Sequence, residues 1–327
     1  MAQSVIVYRY DASPHSRKLN YALLLKNIPQ KWVNVPMVPP RPDVELLGVA
    51  YRRIPILAIG SDLYFDTSLA TSALERRFPP QAQAGSAYGS IYPPRKDGSR
   101  SDAALIKIFT RSWVDGELYR AVVPLVLWST IPEALRVDRE SFMGPIDPAQ
   151  LAAARPANIS AFASQVARME DQFADGREWL FDTQMPSFAD TSAYGACVWA
   201  ERLLGPESES VFTDAIFPST AKWMARISQH LSALETAQPA TLITGEEAAV
   251  EIAVAPCEPE TVVGFNELEA RRLGFERGDQ VSVTMDGLGN SPTTGRLVAL
   301  NREEIVIETK GVYRCHFPRI GFTARLA

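Results

Sequence analysis

Cysteine and histidine are scarce in this chain of 327 residues, and neither is clustered. Three cysteines, odd in number and far apart, fit reduced thiols rather than a disulfide framework. The three histidines are equally scattered and do not have the spacing of a metal site, so no metal cofactor is expected. These residues are Cys197, Cys257, Cys315, His15, His230 and His316.

Long apolar runs are also missing. The longest run, residues 121–128, is far shorter than a membrane span and contains Pro124. The N-terminal residues lack the basic-then-apolar pattern of a secretion signal. A net charge of −5 disfavours nucleic acid and anionic membranes as partners. We therefore expect a cytoplasmic protein with no nucleic-acid and no membrane partner.

The first eighty residues alternate between strand and helix patterns, which predicts a thioredoxin-like α/β domain over residues 1–80. A crossover unit comes first and should place its two strands parallel, and an antiparallel hairpin follows after a Pro-rich connection. The predicted elements are a strand at 5–8, a helix at 14–26, strands at 31–35, 56–59 and 63–65, and a helix at 67–77.

Residues 81–100, rich in proline, glycine, serine and alanine, predict a linker, and an all-helical domain is expected over residues 101–240. One long helix is predicted over 103–128, bent or broken near Pro124. Three later helices are expected. One carries an apolar stripe on its core-facing side, the next begins at Ser187, and the last spans about 219–237. The stripe consists of Ile159, Phe162, Val166, Met169 and Phe173.

From about residue 244 the pattern changes to short strands separated by turn residues. This predicts a small all-β domain over residues 245–327, an SH3-like barrel or a similar fold. The predicted strands lie at 250–255, 280–285, 295–300, 304–309 and 313–317.

Four short motifs carry chemical information. Ser13-Pro14 follows the first strand and has the residue types favoured at a helix start, where unpaired N–H groups attract anions such as a thiolate. Ile54-Pro55 precedes a short apolar strand, and Asp66-Thr67 opens a helix. The fourth motif, Ser187 to Asp190, is a capping-box pattern.

In this order and spacing, the four motifs resemble those of the cytosolic glutathione S-transferases, over roughly residues 4–238. Larger fungal glutathione-transferase-like proteins, some of which act in secondary metabolism, are the most similar kind, although the C-terminal β segment lies outside the usual family pattern. The resemblance implies a thioredoxin-like domain followed by a helical domain, glutathione as co-substrate or cofactor, and a homodimer.

The resemblance assigns the catalytic hydroxyl to Ser13, which would stabilise the glutathione thiolate at the helix start. Tyr10 is the rival hydroxyl donor, and a simple helix cap is the alternative role for Ser13. Tyr8 is expected to pack in the core. His15 is expected to be exposed in the first helical turn, and a position bordering the site at the helix start is the alternative. Because no cysteine occupies the turn, the nucleophile should belong to glutathione.

The other motifs would hold the rest of glutathione. Ile54-Pro55 resembles the cis-proline step of the family, where the backbone of the preceding residue pairs with the cysteinyl part. Asp66 is expected on the γ-glutamyl ammonium and Thr67 on the neighbouring carboxylate. Arg53, or Arg52 beside it, is expected on the glycyl carboxylate. The alternative role for Asp66-Thr67 is a helix cap. The alternative for Arg52 and Arg53 is a solvated basic turn.

The resemblance implies a glutathione transferase-like enzyme that activates the thiolate for addition to an apolar electrophile, in conjugation or in isomerisation. The electrophile should lie between the two domains, where Trp113, Tyr119 and Arg120 are candidates by position. Two alternatives stay open: a non-catalytic binding or assembly protein, and a glutathione-independent isomerase or cyclase that uses the same cleft.

Overall fold

The computed structural model describes residues 3–80, 88–309 and 313–327, so residues 81–87 of the predicted linker lie outside the described residues. The N-terminal elements are β1 (Val5–Arg9), α1 (Pro14–Lys26), β2 (Lys31–Asn34), α2 (Pro42–Glu45), β3 (Ile56–Ile59), β4 (Asp62–Phe65) and α3 (Thr67–Arg77). β1 is parallel to β2 and antiparallel to β3, and β3 is antiparallel to β4. The thioredoxin-like layer is confirmed.

The second region is helical, as predicted. It contains α4 (Ala103–Ile108), α5 (Tyr119–Val122), α6 (Glu133–Met143), α7 (Pro148–Ala153), α8 (Arg155–Phe173), α9 (Phe188–Leu204) and α10 (Pro218–Ala237). The single helix predicted over 103–128 is instead composite, because Phe109–Leu118 is π-helical. The helix ends in a 3-10 turn, Val123–Leu125, and Val126 is extended. The break therefore lies at Pro124, which has no N–H to donate.

The capping box at the start of α9 is present. The Ser187 hydroxyl accepts from the Ala189 N–H at 3.2 Å, and the Asp190 carboxylate accepts from the Ser187 N–H at 2.9 Å. Asp190 is fully buried and also accepts from the indole N–H of Trp223. Its carboxylate thus links the helix start to α10 in the interior of the helical domain.

The C-terminal region contains β5 (Thr241–Leu242), α11 (Gly245–Val254), α12 (Glu260–Val263) and α13 (Glu267–Leu273), then β6 (Gln280–Met285), β7 (Thr293–Leu300), β8 (Glu304–Glu308), β9 (Arg314–Pro318) and β10 (Phe322–Leu326). A strand-rich C-terminal region is confirmed, with β10 additional to the predicted strands.

The strand predicted over residues 250–255 is wrong, because this segment belongs to α11. Thr244 and Glu247 form a second capping box, with bonds of 3.1 and 2.8 Å between each side chain and the other residue's N–H. Ala248 and Ile252, one helical turn apart, are both buried. A helical period in a short apolar segment is easily mistaken for a strand.

The ten strands of the described residues form one sheet, in the order β10-β6-β7-β8-β9-β4-β3-β1-β2-β5. β9 pairs in parallel with β4, the edge strand of the thioredoxin-like layer, so that His316 lies beside Tyr64. The prediction of a separate β unit over 245–327 did not include this pairing. The C-terminal strands thus extend the N-terminal sheet.

The two larger apolar cores of the described residues lie on the two faces of the sheet. Val5 and Val7 of β1 face α1, α3 and the helical domain, whereas Ile6 and Tyr8 face α11 and the C-terminal strands. Tyr8 is fully buried in the second core, as expected from the alternation. Among the described residues, no helix combines the length and the apolar character that a bilayer crossing requires.

Candidate functional site

The register of β1, β3 and β4 brings three of the sequence motifs to the same end of these neighbouring strands. Tyr8 of β1 pairs with Ile56 of β3, which in turn pairs with Phe65 of β4. Tyr10 and Ser13 follow β1, Ile54-Pro55 precedes β3, and Asp66-Thr67 follows β4. The predicted site residues therefore lie at the same end of the sheet as the N-terminus of α1.

Ser13 is the N-cap of α1. Its backbone is extended, Pro14 occupies the first helical position, and the Ser13 Oγ accepts from the Ser16 N–H at 3.1 Å. The side chain is 3% exposed. An oxygen that accepts from the helix can still donate its own hydrogen, so the cap and a hydroxyl donor are compatible at this position.

The Ile54-Pro55 peptide bond is cis, as the resemblance implies. The loop before it is held by a residue that sequence reasoning missed. The guanidinium of Arg41 donates to the carbonyls of Pro36 at 2.7 Å and Met37 at 2.8 Å, and to the carbonyl of Arg52. Arg41 therefore joins the Pro-rich connection to the segment that enters the cis bond.

Asp66 has a backbone conformation that is unusual for a residue with a side chain, with φ +73° and ψ +137°. Its Oδ1 accepts from the N–H of Ser68 at 2.8 Å and from the hydroxyl of the same residue at 2.5 Å. Thr67 is buried, 6% exposed. Asp66 is thus the N-cap of α3, and strained backbone of this kind is concentrated at functional sites.

Arg111, in the π-helical stretch of the helical domain, extends to this motif and was not a predicted residue. It donates to the Ser68 Oγ at 3.0 Å and to the carbonyl of Ile320 at 2.7 Å, and its Nη1 lies 3.8 Å from the Asp66 Oδ1. One side chain therefore connects the thioredoxin-like layer, the helical domain and the β9–β10 turn. Contacts between residues so distant in sequence leave no local pattern.

His15 is half-buried rather than exposed, which corrects the expectation for this residue. Its ring lies 5.0 Å from the ring of Tyr119, centroid to centroid. Burial lowers the pKa of the His15 imidazole; the charges of Asp115 and Asp66 act against this effect, and those of Lys18 and Arg53 reinforce it. His15 therefore lies among the charges of the candidate site and takes up a proton less readily than a free imidazole.

α6 lies over the same end of β1, β3 and β4 and contributes charge. Arg139 donates to the Tyr10 hydroxyl at 3.1 Å, and the guanidinium of Arg53 lies 3.9 Å from the ring of Phe142. Arg52 is paired with Asp138. Of the two arginines predicted for the glycyl carboxylate, Arg52 thus already has a carboxylate partner, which it shares with Arg139. Among the described residues, the Arg53 Nε has no hydrogen-bond partner.

The C-terminal region contacts α6 as well. Gly289, in the loop between β6 and β7, lies against the carbonyl of Ser141, and a Cβ at this glycine would be 2.3 Å from that oxygen. Its φ of +67° also favours glycine. The loop can therefore approach α6 this closely only because residue 289 has no side chain.

The aromatic candidates for a second substrate are packed into the fold. Trp113 donates to Gln165 at 3.0 Å, and Tyr119 is 4% exposed. Arg120 points to solvent, where it lies 3.5 Å from Glu117. These three residues were selected by their position along the chain, and the structure does not bring them together in one pocket.

Comparisons with known proteins agree with the architecture. Residues 7–82 match the family model described as the glutathione S-transferase N-terminal domain. Residues 121–237 match a domain of unknown function, DUF7962. Among curated proteins, none matches significantly.

Three solved structures have a similar fold. A GST-like protein from Pseudomonas syringae is 23% identical with a TM-score of 0.68, and the match covers 100% of both chains. The Tau class glutathione S-transferase MiGSTU from mango is 15% identical with a TM-score of 0.52, covering 76% of this chain and 96% of the other. The beta-etherase LigF from Sphingobium is 18% identical with a TM-score of 0.51, covering 72% and 99%.

The likeness to the Pseudomonas protein includes the C-terminal strands, since it covers the whole chain. The chain therefore has the glutathione S-transferase fold, and its residues 7–82 match the N-terminal domain of the glutathione S-transferases.

Proposed function

We propose that the protein is a glutathione-dependent transferase and that glutathione binds around the N-terminus of α1. The observation that carries this proposal is the register of Tyr8, Ile56 and Phe65, which brings Ser13, the cis Ile54-Pro55 bond and Asp66 to the same end of neighbouring strands. The N–H groups and partial positive charge of the helix start favour an anionic sulfur there.

Ser13 would activate the thiol. Because its Oγ accepts from the Ser16 N–H, its hydroxyl hydrogen is available to donate to sulfur. A donor to the anion stabilises the thiolate relative to the thiol and lowers the thiol pKa. The thiolate then forms a sulfur–carbon bond with an electrophilic carbon, and the leaving group departs with the electron pair. Tyr10, next to Arg139, is the rival donor.

The ends of the tripeptide would be held by charge. The two bonds of Asp66 go to its Oδ1, so its second oxygen can accept from the γ-glutamyl ammonium. The N–H and hydroxyl of Thr67 would bind the neighbouring carboxylate, and Arg53 the glycyl carboxylate. The backbone of Ile54 would pair with the cysteinyl part.

The second substrate in this proposal is an apolar electrophile, and isomerisation by addition and release of glutathione uses the same residues. Net incorporation of glutathione into the product would separate conjugation from isomerisation. A homodimer, a cytoplasmic location and a role in fungal secondary metabolism are further proposals that rest on the sequence resemblance.

A non-catalytic binding or assembly protein is the second candidate function. The observation that favours it is burial: Ser13 is only 3% exposed, and α6 lies over Tyr10 and Arg53. Weak retention on immobilised glutathione, with no thiolate absorbance at neutral pH, would support this candidate. Turnover without glutathione would instead support an isomerase or cyclase.

The first prediction concerns Ser13→Ala. Loss of a hydrogen bond to a charged sulfur should raise the pKa of the bound thiol by about one to two units. The measurement is thiolate absorbance of the glutathione complex against pH, combined with calorimetric affinity. Ser13→Thr keeps both the hydroxyl and the cap and should restore the low pKa. If Tyr10→Phe raises the pKa and Ser13→Ala does not, Tyr10 is the donor.

The second prediction concerns Asp66→Asn. Asparagine tolerates a positive φ and can still cap the helix, so stability should change by less than about 0.5 kcal/mol. Glutathione affinity should fall about tenfold, because the ammonium loses a charged partner. Wild type should discriminate against glutathione that lacks the amino group, and Asp66→Asn should not. Equal discrimination by both proteins would place the ammonium elsewhere.

A further inference from the structure

Asp66 and Arg111 lie side by side without a hydrogen bond between them. The Arg111 Nη1 is 3.8 Å from the Asp66 Oδ1, which is too far for an N–H to donate. Within the parts of the chain that the structure describes, Asp66 is the one carboxylate within 4.0 Å of this guanidinium. The Arg111 side chain is 29% exposed and that of Asp66 is 25% exposed, so a ligand can reach both charged groups.

Both groups also keep hydrogen-bonding capacity for a ligand. A guanidinium carries five N–H groups, and two of those on Arg111 have partners among the described residues. Its Nη1 donates to the Ser68 Oγ at 3.0 Å, and its Nη2 donates to the Ile320 carbonyl at 2.7 Å. The two bonds that Asp66 accepts both go to its Oδ1. The other N–H groups of Arg111 and the Oδ2 of Asp66 can therefore bind a ligand.

Opposite charges at this spacing are the complement of a free α-amino acid group. The ammonium and the carboxylate of such a group are bonded to one carbon, so their binding partners must lie close together. In glutathione the N-terminal glutamate is linked through its side chain, which leaves the α-carboxylate free beside the ammonium. In an ordinary peptide this carboxylate is part of the amide bond. An acid beside an arginine therefore favours a γ-glutamyl group over an α-linked residue.

The turn between β9 and β10 fixes the position of the Arg111 side chain. In addition to the bond to the Ile320 carbonyl, the guanidinium lies against Gly321, where a Cβ would be 2.7 Å from the Nη2. The absence of a side chain at residue 321 thus makes room for the arginine. A long side chain that is held in place before the ligand arrives loses less conformational entropy on binding.

We propose that Arg111 binds the α-carboxylate of the γ-glutamyl group and that the β9–β10 turn positions Arg111 for this contact. The carboxylate accepts from Arg111 through one oxygen and from Thr67 through the other, while the ammonium donates to the Oδ2 of Asp66. This inference rests on the proposed glutathione site. It extends that site to the helical domain and gives the C-terminal strands a part in substrate specificity.

The test is a calorimetric comparison, on the full chain, of glutathione with γ-aminobutyryl-cysteinyl-glycine, which lacks only the α-carboxylate. Wild type should bind glutathione about a hundredfold more tightly, because Arg111 and Thr67 both bind the missing group. In Arg111→Met this ratio of dissociation constants should fall about tenfold, to the share that Thr67 contributes. Any loss of folded protein affects both ligands equally and cancels in the ratio.

Lys107→Met is the matched control for the arginine. Lys107 lies one helical turn before Arg111 and pairs with Glu303 at 3.0 Å, so it also joins the helical domain to the C-terminal strands. Its removal should leave the ratio at the wild-type value. If Arg111→Met and Lys107→Met both keep the wild-type ratio, the inference is wrong and the proposed glutathione site stands. If wild type does not bind glutathione at all, both fail.

Gly321→Ala tests the positioning by the turn. The added methyl group would displace the guanidinium without removing it, so the ratio should fall several-fold. Gly264→Ala is the matched control, because Gly264 has a similar φ, +74° against +81°, but a Cβ there would have no neighbour within 4 Å in the described structure. It should keep the wild-type ratio. A wild-type ratio in Gly321→Ala would show that the turn does not position Arg111.

Discussion

Replacing His316 with glutamine is expected to lower the free energy of unfolding by about 3 kcal/mol in mildly acidic solution and by clearly less in mildly alkaline solution. His316 is 2% exposed, and both ring nitrogens face carboxylates. The Nδ1 lies 2.7 Å from the Glu304 Oε2, and the Nε2 lies 3.0 Å from the Asp62 Oδ1. Only an imidazolium can donate to both acids at once.

The surroundings of His316 form a balanced set of charges at the junction of β4 and β9. Arg77 pairs with Asp62, and Arg76 lies 2.8 Å from both Glu304 and Glu258. Three carboxylates thus face two guanidinium groups, and protonated His316 supplies the third positive charge. Removing a member of a buried charged network leaves its partners unpaired.

The direction of the pH dependence follows from the pKa of His316. Burial alone would lower this pKa, but the hydrogen bonds and negative charges of Asp62 and Glu304 raise it above the ordinary 6.5. The folded state therefore binds the proton more tightly than the unfolded state. The stabilisation is complete below about pH 6.5 and is lost as the pH rises through the folded-state pKa.

The measurement is urea unfolding of wild type and His316→Gln across neutral pH, followed by circular dichroism. The stability difference between the two proteins should shrink as the pH rises. His230→Gln is the matched control, because burial lowers the pKa of His230 and gives the opposite slope. A difference that does not change with pH would show that His316 contributes packing and not charge.

Local chemistry explains which parts of the fold could be predicted. Ser13 before Pro14, and Ser187 three residues before Asp190, specify helix starts through side chains and N–H groups within one turn. Both starts lie where the sequence predicts. The strand alternation that buries Tyr8 away from α1 is equally local.

Tertiary contacts explain what could not be predicted. The β4–β9 pairing joins residues about 250 positions apart, and the free edge of β4 does not specify its partner in the sequence. Arg111 and Arg139 reach the candidate site only because of how the helical domain packs on this end of the sheet. The strand wrongly predicted over 250–255 shows the related limit of short apolar segments.

Replacing Lys18 with methionine is expected to destabilise the protein by about 3 kcal/mol. Lys18, on α1, is 1% exposed, and its Nζ lies 2.8 and 2.7 Å from the two carboxylate oxygens of Asp115 in the π-helical stretch. The pair ties the thioredoxin-like layer to the helical domain beside the candidate site. The Asp115 side chain is 24% exposed, so water can solvate its carboxylate after Lys18 is removed. The expected destabilisation is therefore at the lower end of the values for breaking buried ion pairs.

The double variant Lys18→Met with Asp115→Leu separates charge from packing. With both charges removed, no unpaired carboxylate is left in the interface, so the double variant should be more stable than Lys18→Met alone, as a double-mutant cycle in urea would measure. The exposed pair of Lys96 and Glu178, with side chains 59% and 50% exposed, is the matched control, and its removal should change stability by less than about 1 kcal/mol. If the two substitutions instead added independently, Lys18 and Asp115 would not act as a pair in holding the two domains together.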